Sequence, residues 1–121
     1  QQIVISVRGT FSLADVATDF LMAVRPVDVP DLSPSEDSEG WPKGDYRVHG
    51  GTLASATAIF ADLTEQAVLA NALSKHITWD VAVVGHSLGG SVAAVLALLL
   101  RPTYPAVKCW AIDPAGEMLC K

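Results

Sequence analysis

The chain has 121 residues, of which half are hydrophobic and 17% are charged, so it has enough apolar material for a core and lacks the composition of a disordered segment. Its net charge of −5 does not fit the basic footprint of a nucleic-acid-binding protein, so no nucleic-acid partner is expected. The longest apolar run, Val92 to Leu100, is far shorter than the roughly 20 residues that cross a bilayer. We therefore predict neither a transmembrane segment nor a signal peptide in this chain.

The first third of the chain predicts one strand, one helix and one long loop. Ile3 to Val7 is β-branched and mostly apolar, which is typical of a buried strand, and it ends at the turn Arg8-Gly9-Thr10. Apolar residues at helical spacing then predict an amphipathic helix over 13–23. Prolines, serines and acidic residues follow, and they predict a loop or lid insertion over 26–48, for which a disordered excursion is the alternative.

The rest of the chain alternates between helices and strands. We predict one long helix over Thr52 to Lys75, a buried strand over Asp80 to Val84, an apolar helix over Leu88 to Leu100, and a third strand over Ala106 to Ile112. This alternation favours an α/β fold, a parallel sheet joined by crossover helices. The two cysteines, Cys109 and Cys120, lack metal-ligand spacing and are predicted to be free, buried thiols.

The segment Gly85-His86-Ser87-Leu88-Gly89 fits G-x-S-x-G between a predicted strand and a predicted helix. The strand-to-helix turn of this motif is sharp, and small flanking residues leave the serine clear of its own backbone. We therefore predict Ser87 as a nucleophile. The amide of Leu88 opens the following helix, where a free N–H and the helix dipole stabilise an oxyanion.

A second oxyanion donor in such a site comes from the loop after an earlier strand, and Thr10 is the candidate. The alternative is that Gly9 and Thr10 only turn the chain into the next helix. Serine hydrolases also need an acid and a histidine, in the order Ser, Asp or Glu, His along an α/β-hydrolase chain. No histidine follows Ser87, so the histidine is expected beyond Lys121, and residues 1–121 are expected to be one incomplete catalytic domain.

The turn and the elbow together resemble the class 3 lipase family, which has R-G-[ST] and G-H-S-L-G motifs. Further segments resemble the sn-1-specific diacylglycerol lipases within that family: Ile3-Val-Ile-Ser-Val-Arg-Gly-Thr10, Ser12-Leu-Ala-Asp-Val16 and Leu98-Leu-Leu-Arg-Pro-Thr-Tyr-Pro105. The resemblance implies a partial α/β-hydrolase fold and hydrolysis of the sn-1 ester of diacylglycerol to monoacylglycerol and fatty acid. It also implies a lipid substrate, a membrane-associated full-length protein, calcium dependence, and an oxyanion-hole role for Thr10.

Asp113 ends the third predicted strand, where some lipases place the acid of the triad. Its segment, Ile112-Asp113-Pro114-Ala115-Gly116, resembles the pancreatic and lipoprotein lipase family at this point, whereas diacylglycerol lipases have their acid after the next strand. The alternative is an Asp that initiates a turn before Pro114. Two functional alternatives also stay open: a lipase or acyl hydrolase with another ester substrate, and a non-catalytic binding protein that retains the fold.

Overall fold

The computed structural model describes residues 1–9, 24–26, 47–115 and 119–120. Their elements, in chain order, are β1 Gln2–Val7, β2 Val24–Pro26, β3 Arg47–His49, α1 Gly50–Glu65, α2 Val68–Lys75, β4 Asp80–His86, α3 Leu88–Leu100, β5 Lys108–Ile112 and β6 Leu119–Cys120. The helix predicted over 13–23 lies outside the described residues, as does most of the loop predicted over 26–48.

The main sheet has three parallel strands in the order β1-β4-β5, with β4 in the middle. The register pairs Val7 with Gly85 and Gly85 with Ala111, so the three strands reach their carboxyl ends at the same edge. The β-branched run of β1 and the apolar run of β4 supply this pairing, because such side chains pack well on a pleated surface. The predicted parallel sheet with crossover helices is confirmed.

Helix α3 lies against one face of this sheet and forms much of the core. Almost every side of the helix is buried, as its uniformly apolar sequence predicts. Leu96 and Leu100 of α3 are fully enclosed, and Val83 of β4 is fully enclosed with them. Helix α1 packs on the same side, where Ala56 is buried and Leu53 and Phe60 contact the cluster. Hydrophobic burial on this one face therefore holds β4 and α3 together.

The opposite face of the sheet carries apolar side chains that are open in the described part of the chain. Val4 of β1 is 56% exposed, and Trp110 and Ile112 of β5 are 58% and 59% exposed. The alternation along the strands explains this, because side chains at every second position point away from α3.

A second, smaller sheet was not predicted. Its three short strands are antiparallel in the order β2-β3-β6. Strand β2 includes Pro26 and strand β3 includes Arg47 and Val48, so the predicted loop over 26–48 is wrong at both of its ends. Strands of two or three residues are too short to show a hydrophobic period, which is why the sequence does not reveal them.

The single long helix predicted over 52–75 is also wrong, because the chain forms two helices there. Ala67, between them, has left-handed backbone angles (φ 49°, ψ 33°), and the amide of Gln66 closes α1 on the carbonyl of Asp62 at 3.1 Å. Restarting the helix at Val68 buries Leu69 and leaves Ala70 exposed. Burying a leucine in place of an alanine offsets the cost of the strained residue.

The last strand of the main sheet starts later than predicted, at Lys108 rather than Ala106. A turn precedes it, in which the amide of Val107 donates to the carbonyl of Tyr104 at 2.9 Å. Cys109 is free, as predicted, but it is exposed rather than buried. The reason is that β5 pairs on one side only within the described sheet. The side chain of Cys120 lies outside the described residues.

Candidate active site

Ser87 joins β4 to α3 in a strained backbone conformation, with φ 54° and ψ −128°. A residue with a side chain rarely adopts a positive φ, and such strain concentrates at functional sites. Ser87 is the N-cap residue of α3, yet its hydroxyl makes no capping hydrogen bond. The serine hydroxyl is therefore available for chemistry at the edge where the parallel strands end.

Glycine is required on both sides of this elbow. A Cβ at Gly85 would collide with the carbonyl group of Gly89, and it would lie 2.8 Å from the amide nitrogen of Gly90. A Cβ at Gly89 would lie 2.5 Å from the carbonyl oxygen of Val7 and 2.7 Å from the carbonyl carbon of Arg8. The G-x-S-x-G spacing thus reflects backbone contacts that leave no room for a side chain.

The same contacts bring the end of β1 onto the first turn of α3. Gly9 follows Arg8 in this turn, and a Cβ on Gly9 would lie 2.7 Å from the carbonyl oxygen of His86. Leu88 supplies the first amide of α3, and the N–H groups of a first turn have no partner within the helix. Thr10, the predicted second oxyanion donor, comes next after Gly9 but lies outside the described residues.

The segment that follows β5 encloses the backbone of Ser87 from the other side. The amide of Ser87 donates to the carbonyl of Ile112 at 3.0 Å, and the amide of Ala115 donates to the carbonyl of Ser87 at 3.3 Å. The carbonyl of Ser87 also accepts the amides of Gly90 and Ser91, at 2.8 and 3.1 Å. The backbone of the candidate nucleophile is therefore bonded on both of its polar groups.

Asp113 lies within this segment, between Ile112 and Ala115, the two residues that are hydrogen-bonded to the backbone of Ser87. It has a positive φ of 45°, and its side chain is exposed. The structure thus places Asp113 beside the nucleophile, at the carboxyl end of the neighbouring strand. The backbone angle is typical of a turn residue. The acid of a triad is buried against its histidine, and here the histidine is predicted beyond residue 121, so the exposure fits both interpretations.

Ser91 is a residue of this site that the sequence did not single out. It is fully buried, and its hydroxyl donates to the carbonyl of Ala115 at 3.1 Å. The sequence does contain a signal for it, because Ser91 is a polar residue within an otherwise apolar helix. Such a residue needs a hydrogen-bond partner when it is buried.

Two of the three histidines flank β4: His86 is its last residue, and His76 lies shortly before it begins. His86 precedes Ser87 and is exposed, and the ring of His76 stacks on that of Trp79 with centroids 4.0 Å apart. His49 is the N-cap residue of α1.

Among the residues that the structure describes, no cluster of His, Cys, Asp or Glu could hold a metal ion. In the same part of the chain, no helix is long and apolar enough to cross a bilayer.

A parallel sheet with helical crossovers and a strained serine between strand and helix define the chain as part of an α/β-hydrolase fold. Two solved structures support this assignment. A fungal lipase has a TM-score of 0.66 at 25% identity, over 91% of this chain and 36% of its own. A mutant form of MDLA from Penicillium cyclopium has a TM-score of 0.63 at 22% identity, over 89% of this chain and 36% of its own.

Residues 4–113 match the family described as Lipase (class 3), and the chain belongs to that family. Diacylglycerol lipase-alpha of Rattus norvegicus and that of Homo sapiens are each 35% identical to it over 98% of the chain. Diacylglycerol lipase-beta of Mus musculus is 34% identical over 100% of the chain. The chain spans only 11% of the alpha relatives and 17% of the beta relative. The similarity to diacylglycerol lipases predicted from the sequence is confirmed.

Proposed function

We propose that the complete protein hydrolyses lipid esters through Ser87, and that its substrate is diacylglycerol, cleaved at the sn-1 ester to monoacylglycerol and fatty acid. The observation that carries the proposal is the strained backbone of Ser87, with φ 54° and a hydroxyl unused in capping. Membership of a lipase family and relatives named as diacylglycerol lipases support a lipid substrate. The sn-1 position comes from the sequence resemblance.

In this proposal the oxygen of Ser87 attacks the carbonyl carbon of the ester while a histidine base takes the proton. The carbonyl oxygen becomes an oxyanion that the amide of Leu88 and the residue Thr10 stabilise. The glycerol oxygen then leaves with the proton, and water releases the fatty acid from the acyl-serine. The role of Asp113 as the acid stays a prediction, and its positive φ fits the turn interpretation.

Calcium dependence and membrane association are part of the proposal through the resemblance alone. The described residues contain no cluster of three or more His, Cys, Asp or Glu side chains that could hold a metal ion, and the reaction is written with protein groups alone. Adding and removing calcium, with and without lipid vesicles, tests both points on the full-length protein.

The deciding experiment uses full-length protein and diacylglycerol with different acyl groups at sn-1 and sn-2, with mass spectrometry of the released acids. Release of the sn-1 acid is expected, together with labelling by a fluorophosphonate probe. Ser87→Ala should lose both signals. Ser55→Ala, at an exposed serine of α1, is the matched control and should keep both.

Other outcomes correct or overturn the proposal. Faster hydrolysis of triacylglycerol or short esters would keep the enzyme class and change the substrate. A folded protein that neither takes up the probe nor releases acid would indicate a non-catalytic binding protein that retains the fold.

A further inference from the structure

The hydroxyl of Ser91 links two parts of the candidate site that are distant in sequence. Ser91 lies in the first turn of α3, is 0% exposed, and donates to the carbonyl of Ala115, 24 residues away, at 3.1 Å. Its second contact is with the carbonyl of Ser87 at 3.5 Å, near the limit of a hydrogen bond. A buried hydroxyl is costly unless it is bonded, so this contact is an ordered part of the site.

The segment that Ser91 holds is the one that supports the nucleophile. Ile112 accepts the amide of Ser87 at 3.0 Å, and Ala115 donates its amide to the carbonyl of Ser87 at 3.3 Å. Ala115 is therefore bonded at its amide to Ser87 and at its carbonyl to Ser91. The hydroxyl of Ser91 completes a closed set of contacts between α3 and the segment 112–115.

This set of contacts surrounds two strained residues. Ser87 has φ 54° and Asp113 has φ 45°, and neither is a glycine. Strained backbone persists only where the surrounding contacts over-determine it. Removing one contact from the set gives both residues freedom to relax, and relaxation of Ser87 would move its hydroxyl away from the position the reaction needs.

We infer that Ser91 is a positioning residue: its hydroxyl fixes the segment 112–115 against Ser87 and so holds the nucleophile in its reactive conformation. The inference rests on the proposed function of Ser87. The competing explanation is a structural role, in which the hydroxyl of Ser91 contributes only to the stability of the fold.

The two explanations separate in full-length protein carrying either of two substitutions. Ser91→Ala removes the hydroxyl with little change in volume, and it raises the helix propensity of the position. Ser91→Thr keeps a hydroxyl but adds a methyl group at a fully buried position, which lowers the melting temperature. The matched control is Ser74→Ala, which removes a hydroxyl bonded at 2.8 Å to the carbonyl of Asn71 in α2, away from the elbow.

The measurement is the second-order rate of Ser87 modification by a fluorophosphonate probe, beside the melting temperature of each variant. If Ser91 positions the nucleophile, Ser91→Ala reacts about tenfold more slowly than wild type, because the reactive state loses about one hydrogen bond. Ser91→Thr, which keeps the hydroxyl, reacts within about twofold of wild type. Ser74→Ala reacts like wild type. The rate then follows the hydroxyl and not the melting temperature.

Two results would overturn the inference while the proposed function stands. In the first result, the probe modifies Ser87 of the wild-type protein, and it modifies the Ser91→Ala variant at the same rate. The other is a series in which the rate follows stability, with Ser91→Thr the slowest variant. A wild-type protein that is not modified at all would instead overturn the proposed function and this inference with it.

Discussion

Gly89 and Val7 touch through their backbones, since a Cβ on Gly89 would lie 2.5 Å from the carbonyl oxygen of Val7. This contact joins the first turn of α3 to the end of β1. It therefore fixes the distance between the amide of Leu88 and the turn that leads to Thr10, the two proposed sources of oxyanion donors.

Gly89→Ala is expected to separate these two elements and to lower kcat by about 100-fold or more, the effect of losing one oxyanion donor. The measurement is kcat of full-length protein for diacylglycerol, with circular dichroism to verify folding. Gly90→Ala is the graded control. Its Cβ would lie 3.1 Å from the carbonyl oxygen of Gly85 and 3.2 Å from that of Ile112, which small shifts relieve. Equal activity of the two variants would contradict the prediction.

Asp113→Asn separates the two interpretations of Asp113. Because the φ of 45° suits Asn, the turn interpretation predicts that kcat stays within about fivefold of wild type. Loss of the acid of a triad costs about 10⁴-fold in kcat, so a decrease of that size would identify Asp113 as the acid. Asp113→Gly, which tolerates the same backbone angles, should raise the free energy of unfolding by about 1 kcal/mol.

Ala67→Gly is expected to stabilise the protein by about 1 kcal/mol, because glycine adopts the left-handed conformation of this residue without steric cost. Urea denaturation of the two full-length proteins measures the difference. Ala72→Gly, in the interior of α2, is the matched control and should destabilise by about 1 kcal/mol. Changes of the same sign in both variants would show that Ala67 is not strained.

Cys109 offers a test that depends on pH. Although Cys109 is exposed as a residue, partial desolvation of its thiol raises the pKa above its ordinary value, and a backbone hydrogen bond with Ala111 lowers it by a smaller amount. The folded protein thus holds the thiol proton more tightly than the unfolded chain does. The stability from this preference is present below the unfolded pKa and is lost as the pH rises through the folded pKa.

Because the thiolate is the reactive species, iodoacetamide should alkylate Cys109 more slowly in folded protein than in urea-unfolded protein near pH 8. Peptide mass spectrometry measures this reaction separately from that of Cys120. In the folded protein the rate should also reach half of its maximum at a higher pH. A faster reaction in the folded state would contradict the prediction.

The elbow was predictable because steric contacts dictate its residue types. Gly85 and Gly89 leave no room for a Cβ, so the spacing around Ser87 records the backbone geometry directly. The parallel order of the main sheet was predictable for a similar reason, since alternating strands and helices have few ways to pack.

The errors fall where tertiary packing decides. The break at Ala67 depends on Leu69 reaching the core, and no local signal in the sequence marks it. Ser91 looks like one more small residue of an apolar helix until the segment after β5 lies beside it. Thr10 lies outside the described residues, so its role stays a prediction.

Strand β4 is hydrogen-bonded to a neighbour on each side, and Ser87 follows its last residue. A slip of one residue in either pairing would turn the apolar face of β4 away from α3, so the register is strongly determined. The location of the nucleophile is thereby set by the sheet itself. Surface loops of this protein could change in length or sequence without displacing the hydroxyl of Ser87.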